Sequence, residues 1–181
     1  MQISKKSKFL VRKFKVSDLD SIKRIIKELH PEWFTEEALE NIPRDIQFAR
    51  CFVIERNRKI VGFVSVHSYN GKPMIGWLGA DYKLRGGGIG KLLLEKVERE
   101  LIKFGFKDLR VETVGECSPV YKPYAETLKF YKSVGFEVEN RGRLRHDLGY
   151  KWRLSTFRKK LASSSSTSSL LITKKHEMKR T

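Results

Sequence analysis

Apolar residues recur along this chain with two periods, and the switches between them mark the elements. Loose alternation over residues 8–14 predicts a first strand. Leu19, Ile22, Ile25, Ile26 and Leu29 then repeat at helical spacing; Ser17 is the expected N-cap, Asp18 and Asp20 sit in the first turn, and Pro31 ends the helix after His30. Thr35 caps a second short helix with Ala38 and Leu39 on its apolar face, followed by Pro43. Residues 52–54 and 60–66 flank Arg56-Asn57-Arg58-Lys59 and read as a hairpin, and Asn70-Gly71 turns the chain into a further strand near residues 75–80. A glycine-rich loop, 85–91, opens an amphipathic helix with Ile89, Leu92, Leu93, Val97, Leu101 and Phe104 on one side and Gly105 just past its end. Residues 109–114 form a strand, 123–134 a helix between Pro123 and Gly135, and 136–139 and 150–157 the last two strands.

The resulting order, β-α-α-β-β-β-α-β-α-β-β, places hairpins beside crossover helices. It therefore predicts a mixed α+β fold: a mostly antiparallel sheet of six to seven strands flanked by about four helices. A chain of 181 residues suits one domain, expected over residues 1–157, with 158–181 as a basic tail holding the Ser/Thr tract 163–169.

Composition narrows the class. Hydrophobic residues make up 40% and charged ones 33%, enough apolar content for a core. No apolar run approaches the roughly 18 residues of a membrane span, and the N-terminus lacks a secretory apolar region. Cys51 and Cys117 lack metal-ligand spacing, so neither a disulfide framework nor a metal site is expected, and a reducing, cytoplasmic setting is. The net charge of +17 concentrates at the ends: residues 1–15 carry six basic residues and no acid, residues 158–181 seven and one. Such ends either attract polyanions weakly or serve solubility; charge alone does not choose.

The chemistry centres on Arg85-Gly86-Gly87-Gly88-Ile89-Gly90-Lys91. Glycines without Cβ atoms let an anion reach main-chain amides, the following helix contributes unsatisfied N–H groups and partial positive charge, and Arg85 and Lys91 add formal charge. The loop reads as a phosphate or pyrophosphate cradle. It is not a P-loop, because Gly86 lies only four positions before Gly90 and Leu92, not Ser or Thr, follows Lys91. Nor is it a dinucleotide fingerprint, whose third glycine would fall on Lys91.

The segment from Ile75 through Gly90, with its Arg-x-x-Gly-x-Gly, resembles the acetyl-CoA motif of GNAT N-acetyltransferases. Downstream, Phe130-Tyr131-Lys132-Ser133-Val134-Gly135-Phe136 resembles the helix of that superfamily that ends in Tyr-x-x-x-Gly-Phe. The resemblance spans about residues 8–157 and implies an enzyme that moves an acetyl group from acetyl-CoA to a primary amine by direct attack in a ternary complex. By resemblance, the pantetheine arm pairs with Leu78, Gly79 and Ala80, the pyrophosphate lies on Arg85, Gly86, Gly87, Gly88, Ile89, Gly90 and Lys91, a main-chain N–H near Leu78 receives the oxyanion, and Tyr131 is the general acid. Where the family often has Asn and Ala, this chain has Tyr124 and Thr127; Tyr124 is the candidate replacement for the Asn contact. The loop 115–122 is longer than the common version.

The general base is left open among Glu112, Glu116, His67 and water, and Cys117 has no nearby His to make it a nucleophile. Trp33 and Phe34, in the break between the first helices, are expected to meet the acceptor or to cover the sheet. Arg141, Arg143, Arg145 and His146 either line the opposite rim or form a solvated hairpin. The acceptor is an amine-bearing small molecule, peptide or protein. Two other readings compete: a non-catalytic acyl-CoA sensor, and a nucleic-acid-associated module using the basic ends.

Overall fold

The computed structural model describes residues 9–147 and 150–162. Seven strands form one sheet, β1 (Phe9–Lys13), β2 (Arg50–Arg56), β3 (Lys59–Tyr69), β4 (Lys72–Ala80), β5 (Asp108–Ser118), β6 (Glu137–Asp147) and β7 (Tyr150–Lys160). Their spatial order is β1-β2-β3-β4-β5-β7-β6. All neighbours are antiparallel except β4 and β5, which α3 (Ile89–Lys103) connects as a crossover. The mixed, mostly antiparallel sheet and the element order agree with the pattern of the sequence.

Each face of the sheet has its own core. One is built from β2–β5 and β7 with α3 and α4 (Lys122–Ser133), where Phe52, Leu93, Phe136 and Phe157 are fully buried. The other places Ile22, Ile25 and Ile26 of α1 (Leu19–Leu29), and Ile42 and Ile46 of α2 (Glu36–Phe48), against Val53 and Phe63.

Several boundaries differ from expectation. Pro43 does not follow α2 but lies inside it, because the buried stripe of Ala38, Ile42 and Ile46 runs through the proline; its carbonyl accepts from the Gln47 side chain at 2.7 Å. Ser17 is not the cap. A short 3₁₀ turn, Val16–Asp18, precedes α1, and the Asp18 carboxylate accepts the Lys15 N–H at 2.8 Å. β5 reaches Ser118, so half of the expected loop 115–122 is strand. β7 continues past Phe157 to Lys160, paired with Asp108; Lys159 reaches Glu98 at 2.5 Å and the Leu161 N–H donates to Lys107. The folded region thus extends into the segment expected as tail, while the tract 163–169 lies outside the described residues. Phe104, expected on the apolar side of α3, is 61% exposed.

Asp18 also anchors edge strand β1. Two nitrogens of Arg12 hold its buried carboxylate at 2.7 and 2.8 Å. That hydrogen bonding is the main cause of its lowered pKa, with burial opposing it. A depressed carboxyl stabilises the fold above its unfolded pKa near 4 and loses that contribution as pH falls through the folded value. Asp18→Asn should therefore cost about 1–3 kcal/mol in urea unfolding at pH 7, less below about pH 4.

Candidate active site

The cleft begins where the parallel ladder stops. β4 and β5 pair only at Met74↔Arg110 and Ile75↔Val111. Beyond that rung both strands are irregular. On β4, Gly76 and Trp77 stand opposite the single residue Ser65 of β3, whose buried hydroxyl accepts the Trp77 N–H at 2.9 Å. On β5, the pairing with β7 slips between Val114 and Glu116, leaving Gly115 as the extra residue. Bulges bend and twist their strands, and here they accompany the separation of neighbours that would otherwise stay paired. The β5-facing edge of β4 from Gly76 to Ala80 is left without a strand partner.

Glycine is required here for two different reasons. At Gly76 a Cβ would lie 3.0 Å from the Ser65 hydroxyl, so the bulge leaves little room for a side chain. At Gly86 and Gly88 space is open, but φ is +77° and +80°, a conformation costly for L-residues. Gly88 caps α3, and the first intrahelical bond runs from the Leu92 N–H to Gly88. The N–H groups of Ile89, Gly90 and Lys91 consequently point out of the helix start, unpaired by the helix itself. Gly90 has a third role: a Cβ there would meet the Phe130 ring of α4 at 2.8 Å, so its absence lets the helices converge at the cleft.

The splay encloses a cavity of about 790 Å³. Of the residues singled out in the sequence, Trp33, Phe34, Leu78, Gly79, Ala80, Arg85, Gly86, Gly88, Ile89, Gly90, Lys91 and Tyr131 all line it. Gly87 and Tyr124 do not; the Tyr124 ring packs edge-on against Tyr121, 4.9 Å between centroids. Arg85 stacks 3.8 Å from the Trp33 ring centre and reaches Glu126 at 3.4 Å, which ties the glycine loop to the α1–α2 connection and to α4. Phe34 meets Trp77 edge-on at 6.1 Å, and the Trp77 indole donates to Asp45 at 2.8 Å.

Tyr131 is buried, wedged between the rings of Phe130 (5.2 Å) and Phe136 (5.4 Å), and burial raises its pKa well above that of a free phenol. Among the three basic candidates, Glu112 alone lines the cavity, where it accepts from the Thr156 hydroxyl at 3.3 Å. Glu116 is held by Arg141 and Arg153, each at 3.1 Å, and His67 lies on another hollow. Cys51 is buried, its thiol pKa pushed up to about 12, chiefly by desolvation. The sequence reading missed Ser65 and Trp77. An isolated glycine within a strand pattern, Gly76, was the available sign of the bulge they form.

Among the described residues, no cluster of three or more His, Cys, Asp or Glu side chains could hold a metal ion, and no helix is long and apolar enough to cross a membrane. A family model described as the acetyltransferase (GNAT) domain matches residues 47–138, just over half of the chain. The chain belongs to the GNAT acetyltransferase family. No curated protein matches the sequence closely enough to be called a relative.

Solved structures agree on the fold. A GNAT-family protein from Desulfovibrio desulfuricans superposes with a TM-score of 0.74 at 18% identity, covering 86% of this chain and 100% of that one. The ribosomal-protein-S18-alanine N-acetyltransferase of Escherichia coli gives 0.68 at 17% identity, over 87% and 96%. The yncA protein of Salmonella typhimurium, solved with its cofactor acetyl-CoA, gives 0.66 at 18%, over 87% and 96%. Membership of the family, not these likenesses, makes the protein an acetyltransferase with acetyl-CoA as co-substrate.

Removing the Ser65 hydroxyl tests the origin of the splay. Ser65→Ala leaves the Trp77 N–H without its acceptor and should lower stability by about 1–2 kcal/mol in chemical denaturation.

Proposed function

We propose that this protein transfers the acetyl group of acetyl-CoA to a primary amine by direct attack in a ternary complex, with Tyr131 as general acid. The observation that carries the reading is the placement of Tyr131. It stands on the wall of the same cavity as the free edge of β4 and the α3 start, whose separate features match the three parts of one elongated thioester substrate.

The residues present fit that substrate. Main-chain groups of Leu78, Gly79 and Ala80, unpaired toward β5, would bond the pantetheine amides as a short added strand. The α3 start, with its outward N–H groups, the left-handed Gly86 and Gly88, and the Lys91 charge, would hold the diphosphate. A thioester supplies an activated carbonyl and a thiolate leaving group. The protein must then take a proton from the amine, stabilise the oxyanion and protonate the sulfur.

Burial fits Tyr131 to the last task. Its raised pKa keeps the phenol protonated across the working pH range, so a proton is always available for the departing sulfur. Glu112, which lines the same cavity, would receive the ammonium acceptor and accept its proton, directly or through water. A protein or peptide amine is among the acceptors this family handles, as the name of the S18-alanine enzyme records. Release of free thiol from acetyl-CoA across a panel of amines, amino acids and peptides tests the assignment.

Tyr131→Phe should lower kcat by roughly 10²–10⁴ while the Kd for acetyl-CoA, measured calorimetrically, stays within about twofold. Unchanged kcat would remove Tyr131 from the reaction. In the wild type, kcat should show no fall between about pH 7 and 10 from loss of the phenol proton.

Gly88→Ala should weaken acetyl-CoA binding about tenfold, because a Cβ disfavours φ near +80° and so strains the cradle backbone. Its melting temperature should fall by only about 2–8 °C.

A further inference from the structure

Two hollows in this protein share one side chain. Glu112 lines the catalytic cavity and also a groove of about 390 Å³ that runs away from it over β7 and β6. Leu154, Ser155 and Thr156 of β7 lie along the groove, with Asn140, Gly142, Arg143, Leu144 and Arg145 of β6 beside them. The shape is specified locally. β6 slips against β7 between Arg141 and Leu144, and at Gly142 it approaches the Leu154 carbonyl so closely that a Cβ would collide with it.

The charges are sorted along this groove. Most arginines of the region are neutralised: Arg110 and Arg158 share Glu139, while Arg141 and Arg153 share Glu116. Among the described residues, no carboxylate pairs with Arg143 or Arg145; Arg145 lies 4.9 Å from the Trp152 ring centre. Leading away from the cavity, the groove thus begins at Glu112 and, past Asn140, runs beside Leu154 of β7 and the Arg143 and Arg145 positions of β6. Thr156 is paired with both Glu112 and Asn140, so Glu112 and Asn140 share a rung. Arg145 pairs with Trp152, four residues along β7 from Thr156, and Arg143 falls between the pairs Arg141↔Ser155 and Leu144↔Arg153, so the two sit roughly 7–13 Å from that rung along the strand direction, about two to four residues of extended peptide.

We propose that the groove selects a peptide acceptor whose free N-terminal amine enters beside Glu112 and whose acidic side chains, at about the third to fifth residues, pair with Arg143 and Arg145. This inference rests on the transferase reading of the cleft. Charge order favours a peptide over a nucleic-acid strand, because regularly spaced phosphates would lie against Glu112, whereas an acidic N-terminal segment is positive at its first atom and negative a few residues later. Binding involves no covalent step of its own; it holds the amine at the cleft.

The test uses two labelled peptides with the same first two residues, one with Glu and one with Gln at positions three to five. Their binding to the full-length protein saturated with CoA is followed by fluorescence anisotropy. The acidic peptide should bind at least tenfold more tightly, and the preference should shrink steeply with added salt. In the double variant Arg143→Glu, Arg145→Glu, the preference should fall below twofold, with CoA affinity and melting temperature unchanged. Equal binding of the two peptides, a preference that survives the double variant, or tighter binding of a single-stranded oligonucleotide would overturn the proposal. Preferential binding without thiol release would uphold the groove and sink the transferase reading; equal acetylation of both peptides would do the reverse.

Discussion

Everything in this molecule that bears on chemistry follows from two neighbouring strands ceasing to hydrogen-bond. A parallel pair inside a seven-stranded sheet would ordinarily remain paired along its length, since each unmade main-chain bond leaves a polar group to satisfy. Here the ladder between β4 and β5 has two rungs, and the Gly76-Trp77 and Gly115 bulges direct their strands apart. The bulge on β4 does not leave its own amide orphaned, because the Ser65 hydroxyl takes the Trp77 N–H. The strand edge thereby freed, normally a liability for aggregation, lines a cleft instead of the outer margin of the sheet.

Around that edge the two faces of the sheet divide the labour. α3 and α4 converge on one side because Gly90 makes room for Phe130, which brings the start of α3 and Tyr131 to one cavity. α1 and α2 cover the other side, and their connection carries Trp33 and Phe34 to the same cavity. Burial that packs Tyr131 between two rings also raises its pKa, so packing and protonation state are one property of this side chain.

The order of elements and both cores were legible because long apolar stripes with a single period leave little choice of face. The glycine loop was legible because three adjacent glycines before an amphipathic helix have few other structural uses. Other features depend on partners distant in sequence. Ser17 reads as the cap until Arg12 of β1 is seen to hold the carboxylate of Asp18. Pro43 reads as a stop until Ile46 proves to be buried on the same stripe as Ile42. The length of β5 depends on β7, more than thirty residues later in the chain.

Charge was the least informative quantity in the sequence, and the structure shows why. A run such as Arg141, Arg143, Arg145 reads as one basic stretch, but strand geometry and register slips give its members different environments. Arg141 faces Glu116 and is neutralised by it, while Arg145 lies against an aromatic ring. Arg110 illustrates the same rule in reverse: it is buried, and only the carboxylates of Asp108 and Glu139 make that burial tolerable. What a basic segment can bind is therefore decided by the carboxylates the fold has already assigned to it. Among the described residues, those assignments leave Arg143 and Arg145 without a carboxylate, beside a groove that continues out of the cleft past Glu112.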